Sequence, residues 1–139
     1  MKGYAFLEKG KIGFVEKPIP TCGKKDAIVK LTAIAACSSD VHSVQMGIAP
    51  PNLIMGHEGI GIVTEVGEDV RRIKPGDKVI IPAVTPDWSE KEIQYNMHQH
   101  SGGQLKGINL SSYEDGLYAE YARIRYADMN LALLPEGMD

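Results

Sequence analysis

A glycine-bounded His-Glu pair runs without interruption into a β-branched segment: Gly56-His57-Glu58-Gly59-Ile60-Gly61-Ile62-Val63-Thr64-Glu65-Val66-Gly67. Ile60, Ile62, Thr64 and Val66 alternate on one face with small residues opposite. That is the period of a strand, not of a helix. An imidazole and a carboxylate are thereby fixed at the mouth of an extended element. The two glycines of Gly59-Ile60-Gly61 resemble the start of a dinucleotide fingerprint, but the third glycine is absent. Strand formers stand where a helix would have to begin, so that reading is rejected.

The rest of the pattern is also mostly β. Lys2–Leu7 and Ile12–Lys17 flank Glu8-Lys9-Gly10-Lys11, which reads as a hairpin turn. Pro18 and Pro20 end the second run, because proline cannot donate to a ladder. Asp26–Ala36, Lys78–Pro82 after the turn Pro75-Gly76-Asp77, Leu117–Ile124 and Met129–Leu134 are further predicted strands. Residues 84–115 read as a long irregular excursion of the kind that is often functional. Short strands separated by turn signals predict a barrel or sandwich. One short helix is expected over Ser39–Met46, capped by Ser38 or Ser39, with Asp40 in its first turn and Gly47 at its end.

Composition excludes several classes. The chain has 139 residues, enough for one domain with a core, and a net charge of −3, which leaves no basic footprint for nucleic acid. No apolar run is long enough to span a bilayer, and the N-terminus lacks the apolar stretch of a secretory signal. Cys22 and Cys37 do not make a disulfide framework. A reducing, cytoplasmic setting is therefore expected, where a thiolate ligand stays available.

Cys37 follows an apolar strand and precedes the expected helix, whose N-terminus favours thiolate over thiol. With His57 it forms two parts of a candidate metal site, to which a catalytic zinc would add a third protein ligand and an open position. Taken singly, a buried cysteine is a small hydrophobe and a His-Glu pair an ordinary surface pair. Ser39 and His42, three apart on the helix, share the face that begins beside Cys37. His98-Gln99-His100 could hold a metal on a strand, but in a Ser/Gly-rich loop the two rings are expected to be solvated.

Gly56, His57, Glu58, Gly61, Gly67 and Val70 match the signature of the zinc-dependent medium-chain alcohol dehydrogenases. The chain continues Lys74-Pro75-Gly76-Asp77-Lys78-Val79 as that family does. The opening Met1–Ala5, the run Ile81–Trp88, the run His98–Gly103 and the run Ala127–Ala132 resemble its NADP-dependent secondary-alcohol dehydrogenases. The resemblance implies a mainly β, GroES-like distorted β-barrel with one or two short helices. It implies Zn2+ held by Cys37, His57 and, as third ligand, Glu58. It places a proton relay at Ser39 and His42, and puts Asp40 behind the ligands. The four-cysteine lobe that holds a structural zinc in many members is absent, as it is in the secondary-alcohol branch.

Two segments depart from that subgroup, Gly107-Ile108-Asn109-Leu110, where an aromatic residue usually shapes the substrate pocket, and the loop Met46–Pro51. The family continues into a Rossmann domain and carries a fourth, aspartate zinc ligand shortly past this point. Residues 1–139 are thus expected to be a truncated GroES-like catalytic domain, inactive by itself, without its own NADP (or NAD) site, and with an uncovered apolar flank that favours self-association. The implied activity is reversible oxidation of a small secondary alcohol to a ketone. The alternatives are a polyol or amino-alcohol dehydrogenase of the same superfamily, and a stand-alone, non-catalytic metal-binding or interaction module.

Overall fold

The computed structural model describes residues 1–97 and 109–138, so His98 and His100 lie outside the described residues. The elements run β1 (Lys2–Glu8), β2 (Lys11–Glu16), β3 (Ala27–Ala35), α1 (Ser38–Met46), β4 (Glu58–Val66), β5 (Lys78–Ile81), α2 (Lys91–Gln94), β6 (Tyr121–Ile124), α3 (Ala127–Asn130) and β7 (Ala132–Leu133). β1 and β2 form the expected hairpin, with Gly10 at its tip in the left-handed region (φ 77°). The other five strands form an antiparallel sheet in the order β6-β3-β4-β5-β7. The expected barrel is thus two sheets that do not close. Among the described residues, no helix is long and apolar enough to cross a membrane.

α2 and α3 are single turns, so the helix count exceeds the one or two expected. α3 occupies the first part of the segment 129–134 read as a strand. The cause is Asn130, 2% exposed. Its amide donates to the carbonyls of Arg125 (2.8 Å) and Pro86 (3.1 Å), and its oxygen accepts the Trp88 indole N–H at 2.8 Å. A buried amide satisfied this fully holds the turn against strand propensity.

The main core lies between the large sheet and the chain that follows it, and includes Val29, Val63, Val79, Ile81, Leu117 and Ile124. In β4 the buried positions are Gly61 and Val63, while Ile60 and Ile62 are only half-buried. The large-residue face picked out by the alternation is therefore the outer one. β3 runs so close to β4 that a Cβ on Gly61 would stand 2.4 Å from the Lys30 carbonyl oxygen and 2.6 Å from Val29 Cγ1.

The sequence predicts one strand over Leu117–Ile124, but residues 117–119 leave the sheet and, with Gly116, run beside residues 54–56. The Gly116, Leu117 and Tyr118 amides donate to the carbonyls of Ile54 (2.8 Å), Gly56 (2.9 Å) and Met55 (2.9 Å). On its other side the Tyr4 amide donates to the Tyr118 carbonyl at 2.7 Å, which ties the hairpin to the main sheet.

Gly56 sits in the left-handed region (φ 90°), and a Cβ there would stand 2.3 Å from the Tyr118 ring. The glycine before His57 is thus required by this crossing. Gly67 is required for a related reason: its Cβ would stand 2.1 Å from the Gly23 carbonyl oxygen. Gly10 has a similar φ, but nothing lies within 4 Å of its Cβ position. Gly10→Ala should therefore cost only the left-handed penalty, about 1–2 kcal/mol. Gly56→Ala adds a ring clash worth a further ~1–3 kcal/mol. Urea unfolding of the two variants checks this order, and equal losses would contradict it.

Candidate functional site

β3 ends at Ala35, the chain turns at Ala36, and Cys37 becomes the N-cap of α1 in extended conformation. The expectation that Ser38 or Ser39 caps the helix is corrected, since both lie inside its first turn. Asp40, at the third helical position, reaches back to accept the Cys37 amide at 3.2 Å, which is the carboxylate half of a capping box. Gly47 closes the helix in the left-handed region (φ 73°), as the sequence predicts. His57 and Glu58 enter from the other direction, at the start of β4.

Cys37, His57 and Glu58 meet at this junction, and one ligand atom from each lies within 4.8 Å of the others. His57 is buried (5% exposed), Cys37 half-buried, and the Glu58 side chain 43% exposed. Tetrahedral zinc with ordinary bond lengths sets neighbouring ligand atoms about 3.3–3.6 Å apart. The donor set is one thiolate, one imidazole and one carboxylate on the solvent side. Small side-chain rotations would bring it to that spacing, so these residues fit the ion.

The imidazole has two distinct sides. Its Nδ1 lies 3.4 Å from Asp40 Oδ1 and 3.5 Å from Ser111 Oγ. An ionised carboxylate only accepts, so the arrangement favours the proton on Nδ1. Nε2 is then the lone-pair side. It lies 4.0 Å from Glu58 Oε1 and 3.4 Å from Ser39 Oγ. Hydrogen bonds from the Ser39 side chain and then from its backbone are the largest causes that lower the Cys37 pKa below its usual value and favour thiolate. His42 lies one turn beyond Ser39, exposed, and among the described residues makes no hydrogen bond with it.

Asp40 is 6% exposed and its charge is well supported. Beyond the Cys37 amide it accepts the Gly56 amide at 3.2 Å and the Tyr118 hydroxyl at 2.8 Å. Burial, and then the bond to Asp40, push the Tyr118 phenol well above its ordinary pKa, so it stays a donor. Tyr118 and Ser111 are the two residues at this site that sequence reasoning missed. Neither sits in a motif, and each arrives through a long-range crossing.

Beside His57 lies a cavity of about 320 Å³ whose wall includes Ser43, Ile48, Ala49, Ser111, Ser112 and Tyr113. Its size is at the small end of ligand pockets. The expectation that residues 108–110 shape the pocket is corrected for the two described ones. Leu110 is 3% exposed in the main core, and Asn109 donates to the Thr85 carbonyl at 2.9 Å. The departing loop Met46–Pro51 does contribute, through Ile48, Ala49 and Pro50.

The two thiols should separate chemically. Burial, then Glu65 and Asp26, push the Cys22 thiol up, opposite to Cys37. In the metal-free chain near pH 8, iodoacetamide should label Cys37 well before Cys22, because the thiolate is the nucleophile. Lowering the pH should slow Cys22 first. Peptide mass mapping over time checks the order, and Ser39→Ala should narrow the gap.

Residues 23–136 match the family model described as the alcohol dehydrogenase GroES-like domain. The chain is 49% identical over 138 residues to the NADP-dependent isopropanol dehydrogenase of Thermoanaerobacter brockii, covering 98% of this chain and 39% of that protein. It is 47% identical to the enzyme of the same description from Clostridium beijerinckii, covering 99% and 40%. Among solved structures it resembles zinc dependent alcohol dehydrogenase 2 from Streptococcus pneumonia (TM-score 0.84, 33% identity, 100% of this chain and 40% of that one). It also resembles alcohol dehydrogenase TADH from Thermus sp. ATN1 (TM-score 0.83, 26% identity, 100% and 41%). The chain thus spans about two fifths of the length of the relatives it matches. The site's architecture and these matches lead to one assignment: the chain belongs to the alcohol dehydrogenase GroES-like domain family.

Proposed function

We propose that this domain supplies the metal and proton-relay half of an NADP-dependent secondary-alcohol dehydrogenase, with the nicotinamide held mainly outside residues 1–139. The reaction would be secondary alcohol and NADP+ to ketone, NADPH and a proton, in either direction. The observation that carries the reading is the convergence of Cys37, His57 and Glu58 at one junction, with the Ser39 hydroxyl 3.4 Å from His57 Nε2. The isopropanol dehydrogenases that match nearly the whole chain support the substrate and cofactor classes.

Cys37, His57 and Glu58 would hold a zinc ion. When bound, that ion would act as a Lewis acid that makes the alcohol more acidic and polarises the ketone. Ser39, on the first turn of α1 with its hydroxyl 3.4 Å from His57 Nε2, would take the alcohol proton. His42, exposed one turn further along the helix, would receive it through intervening solvent and release it. Asp40 faces His57 Nδ1 and keeps the opposite nitrogen free for the ion. Ile48, Ala49 and Tyr113 bound the space available to the substrate's carbon substituents, which suits a small alcohol. Ile34, 48% exposed, and Val84, 50% exposed, belong to an apolar flank that would be covered in a larger enzyme and would promote self-association of the chain alone.

The polypeptide carrying this chain, purified with its metal, should reduce acetone with NADPH. Ser39→Ala should lower turnover ~10²–10⁴-fold, the range of a lost proton-transfer group, and leave zinc content unchanged. Elemental analysis and steady-state rates check both halves. Unchanged turnover would reduce Ser39 to a first-turn helix residue, and absence of ketone reduction would remove the reading altogether.

A further inference from the structure

We propose that Tyr118 is a positioning residue for the metal-ligand set: its hydroxyl fixes the Asp40 carboxylate, and through it the relative placement of Cys37 and His57. The inference rests on the metal reading above.

The two ligand-bearing segments reach the site independently. Cys37 comes at the end of the β3 connection and His57 at the start of β4. Asp40 joins them. Its Oδ2 accepts the amide of Cys37 itself (3.2 Å), and its Oδ1 accepts the amide of Gly56, the residue before His57 (3.2 Å). Oδ1 also faces His57 Nδ1 at 3.4 Å. One buried carboxylate thereby sets the backbone of one ligand and both the backbone approach and the ring of another.

A carboxylate can do this only if its own rotation is stopped. The two amides are long hydrogen bonds at 3.2 Å and come from the segments being positioned, so they give Asp40 no independent reference. Tyr118 supplies one. Its O–H···Oδ2 bond is 2.8 Å, the shortest of Asp40's hydrogen bonds and ordinary for a hydroxyl donor. Tyr118 itself arrives on a third segment, tied on one edge to Met55 (2.9 Å) and on the other to Tyr4 (2.7 Å). Its ring lies against Gly56, which can hold no side chain there. The other contact of the hydroxyl, to the Ala35 carbonyl, is 3.4 Å and weak. The phenol is therefore aimed at the carboxylate, and through Tyr4 its framework has one anchor, on β1, that belongs to neither ligand segment.

Without the hydroxyl, Oδ2 keeps one weak donor and the carboxylate can turn about its last torsion. Oδ1 then leaves Nδ1, and the ring loses the acceptor that selects its tautomer. Such outer partners commonly change metal affinity by ~10–100-fold. Tyr118→Phe removes this bond alone and keeps the ring in place.

The test uses the 139-residue chain, metal-free, titrated with cobalt(II) by visible absorbance and with zinc by chelator competition. Tyr118→Phe should weaken both metals by about tenfold, alter the cobalt spectrum, and speed amide exchange at Cys37 and Gly56 but not at Val63 or Val79. In an Asp40→Ala background, Tyr118→Phe should add no further loss. Wild-type affinity and spectrum in Tyr118→Phe, whatever its melting temperature, would overturn the proposal. So would an equal loss in the Asp40→Ala background, which would mark a purely structural tyrosine. Failure of the unaltered chain to take up either metal would overturn the metal reading. The exchange measurement then decides alone whether Tyr118 anchors Asp40, unchanged rates counting against it.

Discussion

Three backbone hydrogen bonds from residues 116–118 to residues 54–56 hold this fold in register. They pair the two segments through which the hairpin joins the five-stranded sheet, since residues 52–55 and 118–120 also bond Lys2, Tyr4 and Phe6 of β1. On one side of the joint Ile54 is fully buried and forms a bridge with Ala5 in β1. On the other, Leu117 packs into the main core. The price of so close a crossing is steric, since Gly116 has the Gly56 carbonyl oxygen 2.1 Å from its Cβ position and Gly56 has the Tyr118 ring in the same relation. Two glycines and an aromatic ring are therefore one device, and His57 is the residue that follows directly from it.

The chemistry at that residue rests on burying negative charge with enough donors. A carboxylate as deep as Asp40 is tolerable only when hydrogen-bonded. Here two backbone amides and a phenol share the work, at the N-terminus of α1, where the partial positive charge favours anions. The same helix end favours the Cys37 thiolate. Two acidic side chains thus converge near one imidazole, with Glu58 adding a third at the solvent edge. A divalent cation is the complement that this cluster lacks among its own side chains.

Much of this was legible because it is local. Strand alternation, the hairpin turn, the helix between Cys37 and Gly47, and the His-Glu pair at the start of β4 are all short-range patterns. Cys37 and His57 stand out by residue type and Glu58 by family resemblance, and one ligand atom from each lies within 4.8 Å of the others. What was not legible is non-local. Nothing in Leu117–Ile124 announces that its first residues leave the sheet, because alternation is equally compatible with both pairings. Tyr118 and Ser111 consequently went unnoticed. Alternation in β4 also does not say which face is buried, and close approach of β3 puts the small residue Gly61 on the inner one.

The long runs that resemble known enzymes lie apart from the cavity, whose wall takes only Ser39, Asp40 and His57 from residues the resemblance singles out. The run Ile81–Trp88 and the run Ala127–Ala132 touch one another, through the Trp88 indole, the Asn130 amide and the Pro86 carbonyl. Asp128 from the same run accepts the Arg71 and Arg72 amides at 2.8 Å each, fixing the loop after β4. These are framework contacts. Changing one member would strand a buried polar partner on another. The wall beside His57 is drawn instead from Ile48, Ala49 and residues 111–113, and the loop that carries Ile48 and Ala49 is one of the places where the chain departs from its resemblance. The size and shape of the cavity beside His57 are therefore set by a few wall residues that the framework contacts do not fix.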